Sequence, residues 1–335
     1  MNPGQLNNLK VIFVNKKLVL KYSKFVTSID QLTFAQKKRL LISLKQNICV
    51  SESIEIIEET FEKSQSCPHC SSEKIQRWGT ASDLQRYRCN TCKKTFNALK
   101  KSPLARLRHK DKWLTYSKYL SENNTIRTAA LKCNVDKTTS FRWRHRFLAR
   151  PTENKATEMT GIIEADETFF TLSYKGNRNI THRKPKKRGQ SNKRSKDERT
   201  PVLIVRDRSR AVADFVFEKI EKEAIHEYLK PLVSQETVLC TDGSNIYRSF
   251  AKKEDIPHKR LIASSKIRVI DKIFHIQNLN AYISRLKTWL TSFYGVATRY
   301  LDNYLGWPRL IEANKAENSE KYFLNAALTG NYTNN

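Results

Sequence analysis

The chain has 335 residues, of which 39% are hydrophobic and 28% charged, a composition typical of a soluble folded protein and not of a disordered one. Its 62 Lys and Arg residues against 33 Asp and Glu residues give a formal net charge of +29, which favours a polyanionic partner such as nucleic acid, although a ribosome-associated or merely basic protein has a similar balance. The sequence has neither an apolar run of about 18 residues that could span a bilayer nor a signal peptide at its N-terminus, so we expect a cytoplasmic protein of two or three domains with no membrane partner.

Residues 1–65 predict an N-terminal helical region. Apolar and basic residues recur at helical spacing around 34–44, and an acidic stretch follows from Glu52 to Glu62. The pattern indicates no role for this region.

Four of the seven cysteines form two pairs, Cys67-Pro-His-Cys70 and Cys89-Asn-Thr-Cys92, separated by 18 residues. Two such knuckles are typical of a zinc ribbon, because each turns tightly enough to point two thiolates at one ion. We therefore predict a structural Zn²⁺ site in a ribbon domain at 66–98, since four thiolates leave no open position for a substrate. Two disulfides are the alternative, which a cytoplasmic location disfavours.

The region 99–152 is predicted to be helical, and its second part resembles a helix-turn-helix. Ala129 and Ala130 allow a second helix to approach closely, a turn follows at Asn134, and Asp136 is a suitable N-cap for the next helix. The early residues of that helix would then read base edges in the major groove. These predicted DNA-binding residues are Lys137, Thr138, Thr139 and Arg142.

Later residues of the same helix have two further predicted roles. Arg144 and Arg146 suit contacts to phosphates. The expected apolar anchors are Phe141, Trp143, Phe147 and Leu148. An ordinary helical hairpin in a linker domain is the alternative, because helix-turn-helix patterns alone have low specificity.

From about residue 155 the pattern changes to strands alternating with helices. Strands are predicted at 161–170, 201–206, 211–217, 237–242 and 259–263, and helices at 220–233, 278–293 and 297–311. Three strands, a helix, a strand, a helix, a strand and a final helix are the order of an RNase H-like α/β domain with a mixed sheet. The chain is thus predicted to be an α+β multidomain protein, with this catalytic domain at 155–312 and a C-terminal tail at 313–335.

Carboxylates are embedded in two of these strands. Glu164 and Asp166 point to one face of the first strand and Glu167 to the other, while Asp242 stands at the exit of the fourth strand. A carboxylate in an apolar strand is unfavourable unless it is paired or binds a metal. Asp166 and Asp242 together suit two-metal phosphoryl transfer. A salt-bridged Asp166 and a plain turn at Asp242 are the structural alternatives.

Three motifs resemble a known family: Glu-Ala-Asp166-Glu-Thr-Phe, Thr-Asp242-Gly and His275-Ile-Gln-Asn-Leu-Asn280-Ala-Tyr-Ile-Ser-Arg-Leu-Lys287. With the segment 295–307, they look like a DDE-superfamily (RNase H-like) insertion-sequence transposase of the group with an N-terminal zinc ribbon and an Asp-Asp-Asn catalytic set. The resemblance covers residues 65–312. It implies binding of the element's inverted-repeat ends, Mg²⁺-dependent DNA strand cleavage and strand transfer into target DNA.

The resemblance also implies roles for single residues. Asp166 and Asp242 match the first two ligands of Mg²⁺ (or Mn²⁺), and Asn280 matches the third. Lys287 lies about two turns further along the same helix and would hold a phosphate. Because an amide oxygen adds no negative charge, weaker binding at one metal site is expected.

Two neighbouring residues are open candidates. Glu164 shares the face of Asp166 and is a candidate to compensate for Asn280. His275 is a candidate proton shuttle or a structural histidine.

The segment 175–200 holds eleven Lys or Arg residues against only Asp197 and Glu198. We interpret it as a basic insertion between the first two strands, either a solvated loop or a DNA clamp that orders on phosphates. Its position beside Asp166 favours DNA. The predicted DNA contacts are Lys186, Lys187 and Arg188.

These predictions combine into one hypothesis: a transposase that acts on double-stranded DNA, both transposon ends and target, as a dimer or larger homo-oligomer. Two alternatives stay open. A zinc-ribbon and helix-turn-helix regulator with an inactive nuclease domain would bind ends without cutting. An RNase H-like nuclease or resolvase would cut without a preference for terminal repeats.

Overall fold

The computed structural model describes residues 16–177, 179–181, 198–262, 265–313 and 320–329. Most of the predicted basic insertion, with Lys186, Lys187 and Arg188, lies outside these residues. Within the described residues, no helix is both long enough and apolar enough to cross a membrane.

Two helices open the described chain, α1 (Lys16–Ile29) and α2 (Phe34–Glu62). Thr33 begins α2 with a capping box, in which its hydroxyl accepts the Gln36 N–H at 3.3 Å and the Gln36 side chain accepts the Thr33 N–H at 2.8 Å. The C-terminal half of α2 buries Ile56 and Ile57, whereas its N-terminal half leaves apolar side chains exposed to solvent.

A small antiparallel sheet follows, with β1 (Ile75–Ala81), β2 (Leu84–Cys89) and β3 (Thr95–Asn97) in that order. Ser82 and Asp83 both have left-handed backbone, with φ of 51° and 65°, which is the geometry of a two-residue hairpin turn between right-twisted strands. Tyr87 and Phe96 stack 5.8 Å apart as its core.

Three short helices and one later helix form the next layer: α3 (Trp113–Ser121), α4 (Ile126–Lys132), α5 (Lys137–Glu153) and α10 (Glu320–Thr329). Trp113, Trp143 and Phe147 are buried between them. The predicted C-terminal tail is therefore wrong over part of its length, because α10 buries Phe323 and Leu324 in this same core.

The second half of the chain is built on a five-stranded sheet with the order β6-β5-β4-β7-β8. Its strands are β4 (Ile162–Thr171), β5 (Arg199–Asp207), β6 (Val212–Val216), β7 (Val238–Thr241) and β8 (His258–Arg260). The first three pair antiparallel, and β7 and β8 run parallel to β4. The predicted mixed sheet is confirmed.

Helices cover both faces of this sheet: α6 (Lys222–Leu229), α7 (Asn245–Glu254), α8 (Gln277–Thr291) and α9 (Leu301–Ala313). Strand residues such as Leu203 and Val205 pack towards α6 and α7, and their neighbours Val202 and Ile204 pack towards α8 and α9. This alternation explains why β5 reads as a continuous apolar run, since both of its faces are buried.

One core crosses the predicted boundary at 152–155. Trp307 of α9 lies in the same cluster as Trp113, and its indole N–H donates to the Leu120 carbonyl at 3.1 Å. Gly306 allows this close packing of α9 on α5, because a Cβ there would lie 2.8 Å from the Thr152 Cα. The helical layer and the sheet therefore share α9.

The same junction holds a buried ion pair. Arg309 of α9 donates to the Asp214 carboxylate of β6 and to the Pro151 and Thr152 carbonyls at the end of α5. Burial lowers the pKa of Arg309 to about 10. Because the Arg309 guanidinium donates both to β6 and to the end of α5, it fixes α9 to the sheet and to the helical layer.

Candidate active site

The two candidate aspartates lie at the same level on neighbouring parallel strands. The pairing of β4 with β7 ends at Glu164 and Cys240, and Asp166 and Asp242 each stand two residues beyond that pair. Asp242 comes directly after β7, and its Oδ1 accepts the Ser244 N–H at 2.9 Å in the turn that begins α7. The carboxyl ends of parallel strands are where ligands bind in open α/β sheets.

Negative charge accumulates around Asp166. Burial raises its pKa to about 6, and the nearby charges of Glu167 and Asp242 add to the effect, while Lys287 opposes it. Asp166 Oδ1 accepts its neighbour's backbone N–H at 2.9 Å. Carboxylates packed this closely are the donor set that a divalent cation stabilises.

A cleft of about 650 Å³ opens at this edge of the sheet. Asp166 lies on one wall, and α8 supplies Asn280, Ile283 and Lys287, which share one helix face. Arg199 of β5 lines the cleft as well. The structure thus brings Asp166, Asn280 and Lys287 to one cavity. Asp242 is not among the residues that line it, but it is close enough for its charge to raise the pKa of Asp166.

Glu164 is engaged elsewhere. Its side chain is buried, its Oε2 accepts the Leu279 N–H of α8 at 2.8 Å, and its Oε1 lies 3.2 Å from Arg208 Nη2. His275 Nδ1 is 3.8 Å from the same oxygen. Glu164 and His275 therefore hold the first turn of α8, next to Asn280, and neither lines the cleft.

Glu167 is a site residue that the strand pattern missed. It lines the same cleft as Asp166, although its side chain alternates to the other face. β4 has ten residues and β7 only four, so the end of β4 overhangs its neighbour and is open on its edge. Burial, and next the charge of Glu167, raise the pKa of the underlying Tyr247 well above its usual value.

This part of the chain also matches a known family. Residues 158–307 match the model of the ISXO2-like transposase domain. This segment is a DDE-type insertion-sequence transposase domain. The chain is similar to an uncharacterized protein in transposable element ISH50 of Halobacterium salinarum, with 26% identity over 249 residues, 71% of this chain and 82% of that protein.

Two solved structures were also matched. A pre-cleavage Mos1 transpososome is 11% identical with a TM-score of 0.23, over 65% of this chain and 78% of that one. A Mos1 transposase paired-end complex with left transposon end is 12% identical with a TM-score of 0.22, over 62% and 78%. TM-scores this low do not establish a shared fold.

Outside the transposase domain, the four knuckle cysteines converge. Their sulfur atoms all lie within 4.8 Å of one another. Cys67 and Cys92 are 3.6 Å apart, as are Cys70 and Cys89, too far for disulfides of about 2.05 Å. Four bonds of about 2.3 Å to one tetrahedral Zn²⁺ would separate the sulfurs by about 3.8 Å, so the cluster fits that ion.

The backbone around the second pair of cysteines favours a thiolate at Cys89. The Cys92 N–H, and with it the Thr91 N–H, donate to Cys89 Sγ and lower the pKa of that thiol to about 6. Among the described residues, no other group of three or more Cys, His, Asp and Glu side chains is as tight. The acidic cluster of the transposase domain is thus more open than the cysteine cluster.

The predicted reading helix, α5, begins as expected. Asn134 has left-handed backbone with φ of 49°, and Asp136 caps the helix by accepting the Thr138 N–H at 2.7 Å. Lys137, Thr138 and Arg142 are exposed, and Thr139 is half-buried. The early part of α5 therefore exposes three of its four predicted DNA-binding residues to solvent.

Both arginines predicted to contact phosphates donate to backbone carbonyls of the protein itself. Arg144 is fully buried, donates to the Asn124 carbonyl at 2.5 Å and lies 4.7 Å over the Trp307 ring. Arg146 donates to the Pro103 and Ala105 carbonyls. The prediction is wrong for Arg144, which α9 covers, and stays a prediction for the half-buried Arg146.

Proposed function

We propose that the protein binds the ends of an insertion element and catalyses metal-dependent cleavage and strand transfer of double-stranded DNA. The observation that carries the proposal is the pair Asp166 and Asp242, at one level of a mixed sheet inside a transposase domain. The strand order β6-β5-β4-β7-β8, with three antiparallel strands followed by two parallel ones, supports an RNase H-like catalytic domain at 155–312.

The side chains present fit a divalent cation. Asp166 and Asp242 would hold Mg²⁺ or Mn²⁺, with the Asn280 amide oxygen as a third, uncharged ligand. Such ions, when bound, activate the attacking oxygen and stabilise the leaving one. Lys287 and Arg199 place two positive charges in the cleft, where they would bind non-bridging phosphate oxygens and orient the scissile strand.

The other half of the chain would recognise the DNA. Four cysteines at zinc-compatible distances support a structural zinc ribbon at 66–98. The exposed first turn of α5 supports a helix-turn-helix at 99–152 that reads base edges with Lys137, Thr138, Thr139 and Arg142. Because the ribbon packs on α2 through Glu58, which accepts the Tyr87 hydroxyl at 2.9 Å, both would be presented from one rigid body.

We also propose a homo-oligomer. α1 and the first half of α2 expose a row of apolar side chains: Tyr22, Phe25, Val26, Phe34, Leu41, Ile42, Leu44 and Ile48. A row of such residues on a helix pair is typical of a protein–protein contact. A second copy of the chain is the occupant that a two-ended DNA reaction requires, and sedimentation of Leu41→Glu should then show a lower mass than wild type.

Cleavage of a labelled duplex that carries the element's terminal repeat tests the proposal. Wild type should cut it only with Mg²⁺ or Mn²⁺, and Asp166→Ala should lose about a thousandfold or more of the rate while it still binds the duplex. Asp30→Asn, an exposed position on the loop before α2, is the matched control. Binding without cutting by wild type would favour the regulator, and cutting without preference for the repeat would favour the nuclease.

A further inference from the structure

A second cleft, of about 750 Å³, lies between α5 and the segment that follows α8. Phe141, His145 and Tyr300, whose rings are in contact, line one part of it, and Tyr294 lines another. Its volume is in the range of sites that enclose a small molecule or a single unit of a polymer, about 300–1,000 Å³. It is separate from the acidic cleft, with which it shares no lining residue.

The charge around this cleft is of one sign. Arg127, Lys137, Lys175 and Arg299 line it, and no Asp or Glu is among its described lining residues. Lys175 is committed to the protein, because its Nζ donates to the Tyr294 and Gly295 carbonyls at 3.0 and 2.7 Å. Arg127, Lys137 and Arg299 are exposed, so they are available to an anion at the rim.

Tyr294 is held out into solvent. Its side chain is 88% exposed, and its backbone is left-handed, with φ of 53°. Gly295 follows with φ of 91°, and the two carbonyls that accept from Lys175 fix this turn. An exposed aromatic ring on a strained, anchored turn is unfavourable for stability alone, which points to a ligand.

The opposite wall offers a second ring and an unused donor. The rings of Tyr300 and His145 stack at 3.8 Å, and the Arg299 guanidinium lies 4.9 Å over Tyr300. His145 Nδ1 is 3.0 Å from the Asn303 amide nitrogen, so it accepts and the proton lies on Nε2. That Nε2 is buried and has no hydrogen-bond partner within the described residues.

A smaller cavity of about 360 Å³ lies between the two clefts. It shares Phe170 and Lys287 with the acidic cleft and Gly295 and Val296 with the second cleft. Lys287 stands about one turn before the end of α8, so the path runs along the last turn of that helix. A strand whose phosphate sits at Lys287 can therefore continue into the second cleft.

We propose that this cleft binds an unpaired nucleotide of the DNA strand that flanks the cleavage site. The base would stack on Tyr294, Arg127 and Arg299 would hold its phosphates, and His145 Nε2 would donate to a base acceptor. This inference rests on the proposed function, since it needs DNA at the acidic cleft. Aromatic rings beside cations are the combination that single-stranded nucleic acid recognises in any sequence.

Fluorescence anisotropy with two probes tests the inference on the full chain. The probes are a labelled single-stranded oligothymidine of about twelve nucleotides and a blunt duplex of the same length. Tyr294→Ala should weaken binding of the single strand about five- to 150-fold, the range of one lost base–aromatic stack. Tyr294→Phe keeps the ring and should bind like wild type, and Tyr228→Ala, an exposed tyrosine of α6, is the control.

The outcomes separate the two proposals. Duplex binding should be the same in all four proteins, and wild type should prefer the oligothymidine to thymidine monophosphate by about tenfold or more, since one stack is only part of a strand site. If Tyr294→Ala bound the single strand like wild type, or if the monophosphate bound as tightly, the inference would be overturned and the proposed function would stand. If wild type bound neither DNA, the proposed function would fail as well.

Discussion

Replacing Asp166 by asparagine should stabilise the protein in the absence of divalent cations. The structure raises the pKa of this carboxyl from 3.8 to about 6, first through burial and then through Glu167 and Asp242. A shift of that size means that ionised Asp166 lowers the free energy of unfolding by about 3 kcal/mol at most. Asparagine has no charge, and its side-chain oxygen can still accept the Glu167 N–H.

The sign fixes the pH window. Below pH 3.8 the carboxyl is protonated in both folded and unfolded chains, and above pH 6 it is ionised in both. Between these values the folded chain holds the proton more tightly than the unfolded chain, so the free energy of unfolding of wild type falls as pH rises from 3.8 to 6. Urea unfolding at pH 7.5 without added Mg²⁺ should therefore give Asp166→Asn a higher free energy of unfolding, with the gain shrinking towards pH 4. A chelator is left out because it would strip zinc from the cysteine cluster.

Magnesium should reverse the order. Millimolar Mg²⁺ should raise the unfolding free energy of wild type and leave that of Asp166→Asn unchanged. The ion binds the folded chain only, and it needs the carboxylate of Asp166, which the variant lacks. Asp30→Asn should behave as wild type throughout. Equal stability of wild type and Asp166→Asn at pH 7.5, or equal stabilisation of both by Mg²⁺, would refute the reasoning.

Three further predictions follow from other parts of the structure. Cys67→Ser should lower bound zinc from about one ion per chain to almost none by atomic absorption, whereas Cys133→Ser, outside the cluster, should keep it. Gly306→Ala should lower the unfolding free energy by about 1–3 kcal/mol in urea, because its Cβ meets the Thr152 backbone; an unchanged midpoint would show that α9 does not pack as described. Glu164→Ala should reduce stability by about 1–3 kcal/mol and slow cleavage, since the Leu279 N–H and Arg208 lose their buried acceptor; full activity would argue against a positioning role.

Much of the sheet was predictable because its signals are local. Apolar runs bounded by turn residues predicted all five strands, and the change from antiparallel to parallel pairing followed from their order with the intervening helices. The cysteine knuckles were equally direct, since the spacing itself brings the sulfurs together. Asp166, Asn280 and Lys287 could be assigned to one cleft only through the family resemblance.

The features that could not be predicted from the sequence depend on how distant elements pack against one another. Arg144 and Phe141 lie on the same helix, yet the arginine is buried and the phenylalanine is 37% exposed, because α9 packs on one face of α5 and a cleft opens on the other. Glu167 was assigned away from the site because strand alternation says nothing about where a neighbouring strand ends. α10 was missed because its short apolar pattern lies in a segment predicted to be a tail.

Manganese affinity in a double-mutant cycle tests the central claim most directly. Titration of wild type, Asp166→Ala, Asp242→Ala and the double variant, followed by the electron paramagnetic resonance of free Mn²⁺, measures whether the two carboxylates hold one cation site. We expect each single change to weaken binding about tenfold or more and the double change to add little beyond either one, because a shared site is already lost. Wild-type affinity in both single variants, or effects that simply multiply, would contradict joint coordination by Asp166 and Asp242.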